Sequence, residues 1–347
     1  MALVLEWKML FVVLFVIFGM YVSEVTSRNL QESSSMLEKH ELWMARHGRT
    51  YENDAEKAKR LNIFKENVKF IESFNKNGTK PYKLGINEFA DLTSEEFIKY
   101  YTTHGLNKFS SKSQQSSPAI FSSFKYENRS DVPSIMDWRK SDAVTNVKHQ
   151  GQCGCCWAFA AVGALEGANK LSTGKLISLS EQELLDCTTE NNGCYGGLIT
   201  TAYDFIVKNG GIALESNYPY EEYQDSCRSA QEGMDSTVKM SRYETLPSSE
   251  SALLKVASQQ PVSIGIAVTE EFHMYQSGIY DGSCDDQLNH AVTIIGYGTN
   301  EDGTKYWLIK NSWGTSWGEN GYMKLARDTG IEGGLCGITT LASYPIV

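Results

Sequence analysis

The apolar residues of this chain change rhythm several times, and each rhythm predicts a different element. Met9 to Val22 is an apolar run of about 14 residues behind Lys8. That length suits the core of a secretory signal peptide and is short for a membrane span, with cleavage expected near Ser27, before Arg28. Glu56, Arg60, Phe64, Asn67, Ile71 and Asn75 then recur at spacings of 4, 4, 3, 4 and 4, one stripe of a long helix. The polar Asn67 and Asn75 within the stripe suggest specific hydrogen bonds rather than ordinary amphipathic packing. Gly85-Ile-Asn-Glu-Phe-Ala-Asp91 reads as a strand and turn, and Thr93 with Glu96 has the spacing of a capping box opening a short helix. Gly105 to Ser130 is Ser-rich with little pattern and reads as an exposed, cleavable linker.

Beyond the linker the rhythm becomes that of a core. Trp157 to Leu171 is Ala-rich and apolar almost throughout, which predicts a mostly buried helix. Ser180 and Glu183 form a second capping-box pattern before Leu184 and Leu185, and Leu198 to Lys208 runs into Asn209-Gly-Gly211, a helix stop. After about residue 260 β-rich runs dominate: Pro261 to Val268, His290 to Tyr297, Tyr306 to Ser312 and Gly321 to Ala326. A helical lobe therefore precedes a β-rich lobe, an α+β arrangement. No repeat of 20–50 residues is visible. The expected organisation is a signal peptide over 1–27, a first segment over 28–131 and a main domain over 132–347. Within the first segment a helical part is expected over about 36–100 and the linker over about 105–131.

Charge and cysteine placement sharpen this division. Of the 347 residues, Arg28 to Asp131 contain 17 Lys and Arg against 14 Asp and Glu, whereas Val132 to Val347 contain 14 against 26. All eight cysteines lie in the second part. A mildly basic, cysteine-free piece thus precedes an acidic, cysteine-bearing one, a balance by which charge partly draws the two together. Two solvated surfaces would give the same balance. The acidic second part argues against nucleic-acid binding. Eight cysteines behind a signal peptide suggest disulfides, whose connectivity does not follow from sequence.

Candidate chemistry centres on Gln150-Gly-Gln-Cys-Gly-Cys-Cys-Trp157. Cys156 opens the predicted helix, where free N–H groups and the macrodipole favour thiolate over thiol. Gln150 offers an amide donor for an oxyanion in the same segment. The plain alternative is a disulfide knot before a helix. His290, on an apolar run, and Asn311, between strand-like residues, supply a base and a group to orient it. Each alone reads as an ordinary core or turn residue. In the order Cys, His, Asn, with about 134 residues between nucleophile and base, they match the arrangement of one protease family.

The chain resembles the papain-like cysteine proteases, most closely their plant and cathepsin-L-like branch. The segments that carry the resemblance span about 130–345: Asp137-Trp-Arg, Gln150-Gly-x-Cys-Gly-x-Cys-Trp, Ser178-Leu-Ser-Glu-Gln-Glu-Leu-Leu-Asp-Cys187, Gly193-Cys-x-Gly-Gly197, Leu288-Asn-His-Ala-Val and Lys310-Asn-Ser-Trp-Gly-x-x-Trp-Gly318. The resemblance implies a two-lobe fold, helical first and β-barrel-like second, with the active site in the cleft between. It implies Cys156 as nucleophile, His290 as acid and base and Asn311 as orienter. Gln150 and the Cys156 N–H would form the oxyanion hole, and Trp313 would shield the Asn–His contact. Helix position and imidazolium would lower the thiol pKa to about 3–4, the value of the family prototype. Gly196 and Gly197 would pair with extended substrate, although they also suit a tight turn. Leu198, Ile199, Gly265, Leu288, Ala291 and Leu341 would line the pocket for the second residue before the scissile bond. The implied disulfides are Cys153–Cys194, Cys187–Cys227 and Cys284–Cys336.

The stripe and the Gly85-x-Asn-x-Phe-x-Asp91 segment match the inhibitory pro-region of this family. That match implies a zymogen whose propeptide covers the cleft, runs opposite to substrate and is removed at acid pH, with maturation near Asp131–Val132. The sequons at Asn77 and Asn128 both fall in the pro-part, so a mature enzyme without N-glycan is expected. The implied partners are protein and peptide substrates, the chain's own propeptide and, as candidates, cystatin-like inhibitors. No cofactor, metal, nucleic acid or membrane is expected after signal removal, and the enzyme is expected to be a monomeric endopeptidase of an acidic vacuole or lysosome or of the extracellular space.

Two positions depart from the pattern. Cys155 stands where the family has Ser, Gly or Ala. It reads as a tolerated small residue, as the partner of a vicinal disulfide switch, or, with Cys153 and Cys156, as a soft-metal ligand. His149 stands where the family often has Asn and reads as a surface residue without a role. A protease-like scaffold can also serve as a storage or binding protein, but such proteins usually lose the nucleophile. Here Cys156, His290, Asn311 and Gln150 are all present.

Overall fold

A computed structural model describes residues 34–103, 123–228, 237–269, 271–284 and 287–347. The signal-peptide run and most of the Ser-rich linker lie outside the described residues. No described helix is long and apolar enough to cross a membrane. The chain divides into two units, Met1–Lys69 and Phe70–Val347.

In the first unit, helix α1 (34–47) and the beginning of α2 (Asp54–Asn77) enclose a small aromatic core. His40 lies between Trp43, Tyr51 and Phe64, with ring centroids at 5.7, 6.0 and 5.0 Å. Asn53 Oδ1 accepts from the Glu56 N–H at the start of α2, and Arg60 closes on Glu56 at 2.6 Å. The first two positions of the polar stripe are therefore an i,i+4 ion pair.

The second unit holds the rest of the expected pro-segment together with the helical and β-rich lobes. Asn75, the last stripe position, clamps the following strand β1 (Tyr82–Leu84). Its Nδ2 donates to the Leu84 carbonyl at 2.7 Å, and its Oδ1 accepts from the Leu84 N–H at 3.1 Å. That double bond is the specific use of a polar residue that the stripe implied. β1 ends before Gly85, so the 85–91 segment contributes the turn and not the strand. Helix α3 (Ser94–Tyr101) carries a complete capping box of Thr93 and Glu96.

The helical lobe is built on α4 (Cys156–Thr173), α5 (Glu181–Cys187) and α6 (Ile199–Asn209). α4 is apolar on nearly every side and accordingly buried on nearly every side. α6 stops at Gly210, whose φ of 76° suits glycine. At α5 only half of the predicted box forms. Ser180 accepts from the Glu183 N–H, but the Glu183 carboxylate turns away to the Ala213 N–H at 2.6 Å.

The second lobe carries short helix α7 (Glu250–Ala257) and strands β2 (Met136–Asp137), β5 (Arg242–Thr245), β6 (Val262–Ile266), β7 (Tyr275–Tyr280), β8 (His290–Thr299), β9 (Lys305–Lys310), β10 (Tyr322–Ala326) and β11 (Ala342–Ile346). β3 (Ile212–Ala213) and β4 (Thr237–Val238) pair separately. The main sheet runs β1-β7-β10-β9-β8-β6-β11-β5, with β2 beside β8. Its end strands β1 and β5 do not pair with each other, so the barrel-like lobe implied by resemblance is not a closed barrel. The pro-region's own strand β1 forms one edge, antiparallel to β7.

Glycines let the lobes approach. A Cβ on Gly163 would lie 2.7 Å from Thr293 Oγ1, and one on Gly167 would lie 2.5 Å from the Pro261 ring. Both face strands β6 and β8 or the residue leading into them. A buried ion cluster joins the same elements. Lys148 contacts Glu181 at 2.7 Å and Glu166 at 3.3 Å, and Lys310 on β9 reaches Glu166 at 3.8 Å.

Candidate active site

The site lies entirely in the second unit. Cys156 is the first residue of α4 and is fully buried. Its Sγ accepts from the Ala291 N–H at 3.3 Å. That bond sets the second residue of β8 against the sulfur and makes His290 its immediate chain neighbour. The His290 Nε2 meets Asn311 Oδ1 at 2.8 Å. The amide oxygen only accepts, so Nε2 carries the hydrogen, and in the neutral ring the lone pair is at Nδ1. That Nδ1 is buried without a hydrogen-bond partner. Asn311 is held in turn by its own N–H on the Gly321 carbonyl and by the Ser312 N–H on its Oδ1. Trp313 is fully buried and stacks on His290 with ring centroids 4.3 Å apart, which keeps water from the His–Asn contact.

Gln150 is oriented by Ser312. Its backbone N–H donates to the Ser312 carbonyl at 2.9 Å, and its Oε1 accepts from Ser312 Oγ at 2.6 Å. Nε2 then donates to the Cys153 carbonyl at 2.8 Å and to the Tyr101 carbonyl at 3.3 Å. The Trp313 indole N–H donates to that same Tyr101 carbonyl at 3.2 Å. Residues 101–103 thus lie buried across the site. A Cβ on Gly154 would come within 2.8 Å of the Thr102 carbonyl, and the Thr103 N–H donates to the Asn289 carbonyl at 2.8 Å.

Covering the site decides its electrostatics. Burial pushes the Cys156 thiol up to about 12, although the N–H groups of Ala291, Trp157 and Cys156 itself pull the other way. Burial likewise takes His290 down to about 4, opposed by its bond to Asn311. The expected thiol pKa of about 3–4 belongs to the uncovered ion pair, and in the covered chain burial raises the thiol instead. Helix-end N–H groups do face the sulfur, but desolvation of a charge outweighs them, and a neutral thiol stands beside a neutral imidazole.

Leu198, Leu288 and Leu341 come together in one apolar cluster with Ala267 and Cys284, and the Gly265 N–H donates to the Leu341 carbonyl at 2.8 Å. Ile199 and Ala291 belong instead to the core of the helical lobe. Gly196 has φ 123°, and a Cβ on Gly197 would strike Asn191 at 2.4 Å. Asn191 bonds both the N–H and the carbonyl of Leu198, so it fixes this loop. Nothing in the local pattern of an Asn within a polar turn signals that role. Ala267 was equally silent, whereas Ser312 adjoins Asn311 in a segment already singled out.

Disulfides join Cys153 to Cys194, Cys187 to Cys227 and Cys284 to Cys336, leaving Cys155 and Cys156 free and buried. With Cys153 in a disulfide, the three-cysteine metal reading has no ligand set. Cys155 Sγ lies 3.0 Å from Tyr220 OH, which donates to the Gln150 carbonyl at 2.6 Å. His149 is corrected from an idle surface residue. It bonds Glu88 of the pro-region at 2.9 Å through Nε2 and accepts from the Gly151 N–H at 2.9 Å through Nδ1. The sequons end differently: Asn77 closes α2, and Asn128 lies exposed in a turn.

Residues 132–346 match the family described as papain family cysteine protease, and residues 40–97 match the cathepsin propeptide inhibitor domain (I29). The chain is 48% identical over 327 residues to the senescence-specific cysteine protease SAG39 of Oryza sativa subsp. japonica, covering 92% of this chain and 93% of that protein. It is 46% identical over 338 residues to the senescence-specific cysteine protease SAG12 of Arabidopsis thaliana, covering 95% and 96%. Among solved structures it resembles the proform of the Amb a 11 cysteine protease, a major ragweed pollen allergen, with TM-score 0.84 and 41% identity over 90% of this chain and 94% of that one. The chain belongs to the papain family of cysteine proteases and carries that family's inhibitory propeptide ahead of the catalytic domain.

Proposed function

We propose that the chain is a secretory-pathway cysteine endopeptidase, held inactive by residues 101–103 and activated when acid pH releases the propeptide. The observation that carries this reading is the shared use of the Tyr101 carbonyl by Gln150 Nε2 and Trp313 Nε1. Both donors are buried, and the Gln150 amide among them is the group a hydrolase of this kind aims at a scissile carbonyl. The propeptide occupies those donors in the direction opposite to substrate.

In the uncovered enzyme water returns to the cleft, and the proton passes from Cys156 to His290. The thiolate attacks the carbonyl carbon, and the oxyanion is held by Gln150 Nε2 and the Cys156 N–H. His290 gives its proton to the leaving amine as the C–N bond breaks, leaving a thioester. Water then attacks the thioester while His290 takes its proton, releasing the acid and restoring the thiolate–imidazolium pair. Asn311 holds the ring through Nε2 so that Nδ1 does this work.

Leu198, Leu288, Leu341 and Ala267 offer no charge partner to the second residue before the scissile bond, so Leu, Val or Phe is preferred there over Arg. Matched fluorogenic peptides test this. A kcat/KM for Leu well above that for Arg is expected, and equal values refute the assignment. The working compartment is an acidic vacuole or lysosome or the cell exterior, the enzyme acts as a monomer, and cystatin-like proteins are its inhibitors.

A further inference from the structure

The pro-region ends in a segment that is docked, not loose. Residues 124–129 form a double turn, with the Glu127 N–H on the Phe124 carbonyl and the Arg129 N–H on the Tyr126 carbonyl, both at 3.0 Å. Phe124 and Tyr126 pack on the core of the sheet lobe, and Tyr126 lies 5.8 Å from the Tyr344 ring. Tyr126 OH donates to Gln260 Oε1 at 3.1 Å, and the Lys125 N–H donates to Glu244 Oε2 at 2.8 Å. Arg129 reaches Gln259 at 2.6 Å, and Lys255 donates to the Glu127 carbonyl at 2.6 Å.

Anchoring resumes almost at once. Val132 packs on the same core, the Pro133 carbonyl accepts from Tyr297 OH at 2.8 Å, and β2 pairs with β8 from Met136. Only Ser130 and Asp131, both exposed, separate the two anchors. A protease cleft binds several residues of extended backbone on each side of the bond it cuts. Two residues between fixed points cannot supply that length, and the turn before them has the wrong shape.

Resting on the zymogen reading above, we infer that residues 124–131 are an N-terminal arm of the catalytic lobe. It stays bound when the propeptide leaves. The hydrolysis that frees the propeptide, one water added across one peptide bond, then falls N-terminal to Phe124. Trimming to Val132 requires the arm to undock first. The arm carries the exposed sequon Asn128-Arg-Ser, so the first active form keeps that glycosylation site, against the expectation of a glycan-free enzyme.

The test begins with the full-length Cys156→Ala chain, which cannot cut itself, digested briefly with subtilisin. Intact mass gives the N-terminus of the catalytic fragment. It is expected before Phe124, and the Phe124→Ala/Tyr126→Ala variant is expected to be cut within 124–133 roughly tenfold to a hundredfold faster, since the docking burial is lost. Cleavage of the parent chain within 124–133 at the variant's rate overturns the arm. Next, the native chain expressed in a glycosylating host is acid-matured, labelled with a peptidyl epoxide and treated with N-glycanase. A labelled first product whose mass falls on deglycosylation supports the arm, and a labelled first product beginning at 130–134 overturns it. An arm retained on unlabelled protein leaves the arm standing and sinks the protease reading instead.

Discussion

Gln150 Nε2 donates to the Tyr101 carbonyl at 3.3 Å, so the amide proposed to hold the oxyanion is engaged by the segment ahead of the catalytic domain. On that proposal inhibition and catalysis compete for the same amide. Replacing Gln150 with Ala therefore removes a donor from both. In the mature enzyme kcat is expected to fall by roughly 10²–10³, with KM little changed, as for loss of one oxyanion-hole donor. Steady-state kinetics of Gln150→Ala check this, and an unchanged kcat takes Gln150 out of the hole.

Acid pH should loosen the covered state through His290. Its pKa is about 4 when buried, against an ordinary value of 6.5. A depressed pKa contributes stability that is fully present above 6.5 and is lost as pH falls through 4. The shift is worth on the order of 3 kcal/mol. Cys156 has the opposite sign, since a raised pKa costs stability only on the alkaline side. Thermal unfolding of the Cys156→Ala chain should show Tm falling between pH 6.5 and 4, and the added change His290→Asn should flatten that fall. Identical slopes in the two chains assign acid sensitivity to other groups.

The geometry favours Cys155 as a tolerated small residue. Its thiol is buried, unbonded to Cys156 and turned to Tyr220 OH at 3.0 Å. Cys155→Ser keeps a small side chain that can make the same contact, and its kcat/KM is expected within about threefold of the parent, a loss below 1 kcal/mol. Peroxide should inactivate both enzymes alike. Recovery with dithiothreitol that disappears in Cys155→Ser would instead establish the vicinal disulfide switch.

The buried cluster at the lobe interface predicts a large stability effect. Lys148 contacts Glu181 and Glu166, and removing it leaves Glu181 buried without its ion-pair partner and Glu166 with only the longer contact to Lys310. Lys148→Met is expected to cost about 3–5 kcal/mol, measurable by denaturant unfolding. A loss below about 1 kcal/mol, the range of an exposed pair, would mean that the cluster is solvated.

Which parts of this protein can be read from sequence follows from how local each signal is. α4 was legible because burial on nearly every side leaves an almost continuous apolar run, and Asn75 because a polar residue in line with Phe64 and Ile71 needs a partner. The half-formed box at Ser180 was misread. Glu183 has the right spacing, but the Ala213 N–H competes for its carboxylate, and tertiary contacts do not appear in local pattern. Sheet closure was equally invisible, since strand propensity says nothing about whether end strands meet. The triad emerged only from residue order plus resemblance, because His290 and Asn311 look like ordinary strand and turn residues. The pKa directions of Cys156 and His290 needed the burial of both side chains, which local pattern does not give.

The most direct test of the central claim is labelling of Cys156 by a peptidyl epoxide carrying Leu at the pocket position, mapped by mass spectrometry. The account predicts no label on the full-length chain at neutral pH, one label on Cys156 after acid maturation, and none when His290 is replaced. Label on Cys155, or none on matured and fully reduced protein, would contradict it.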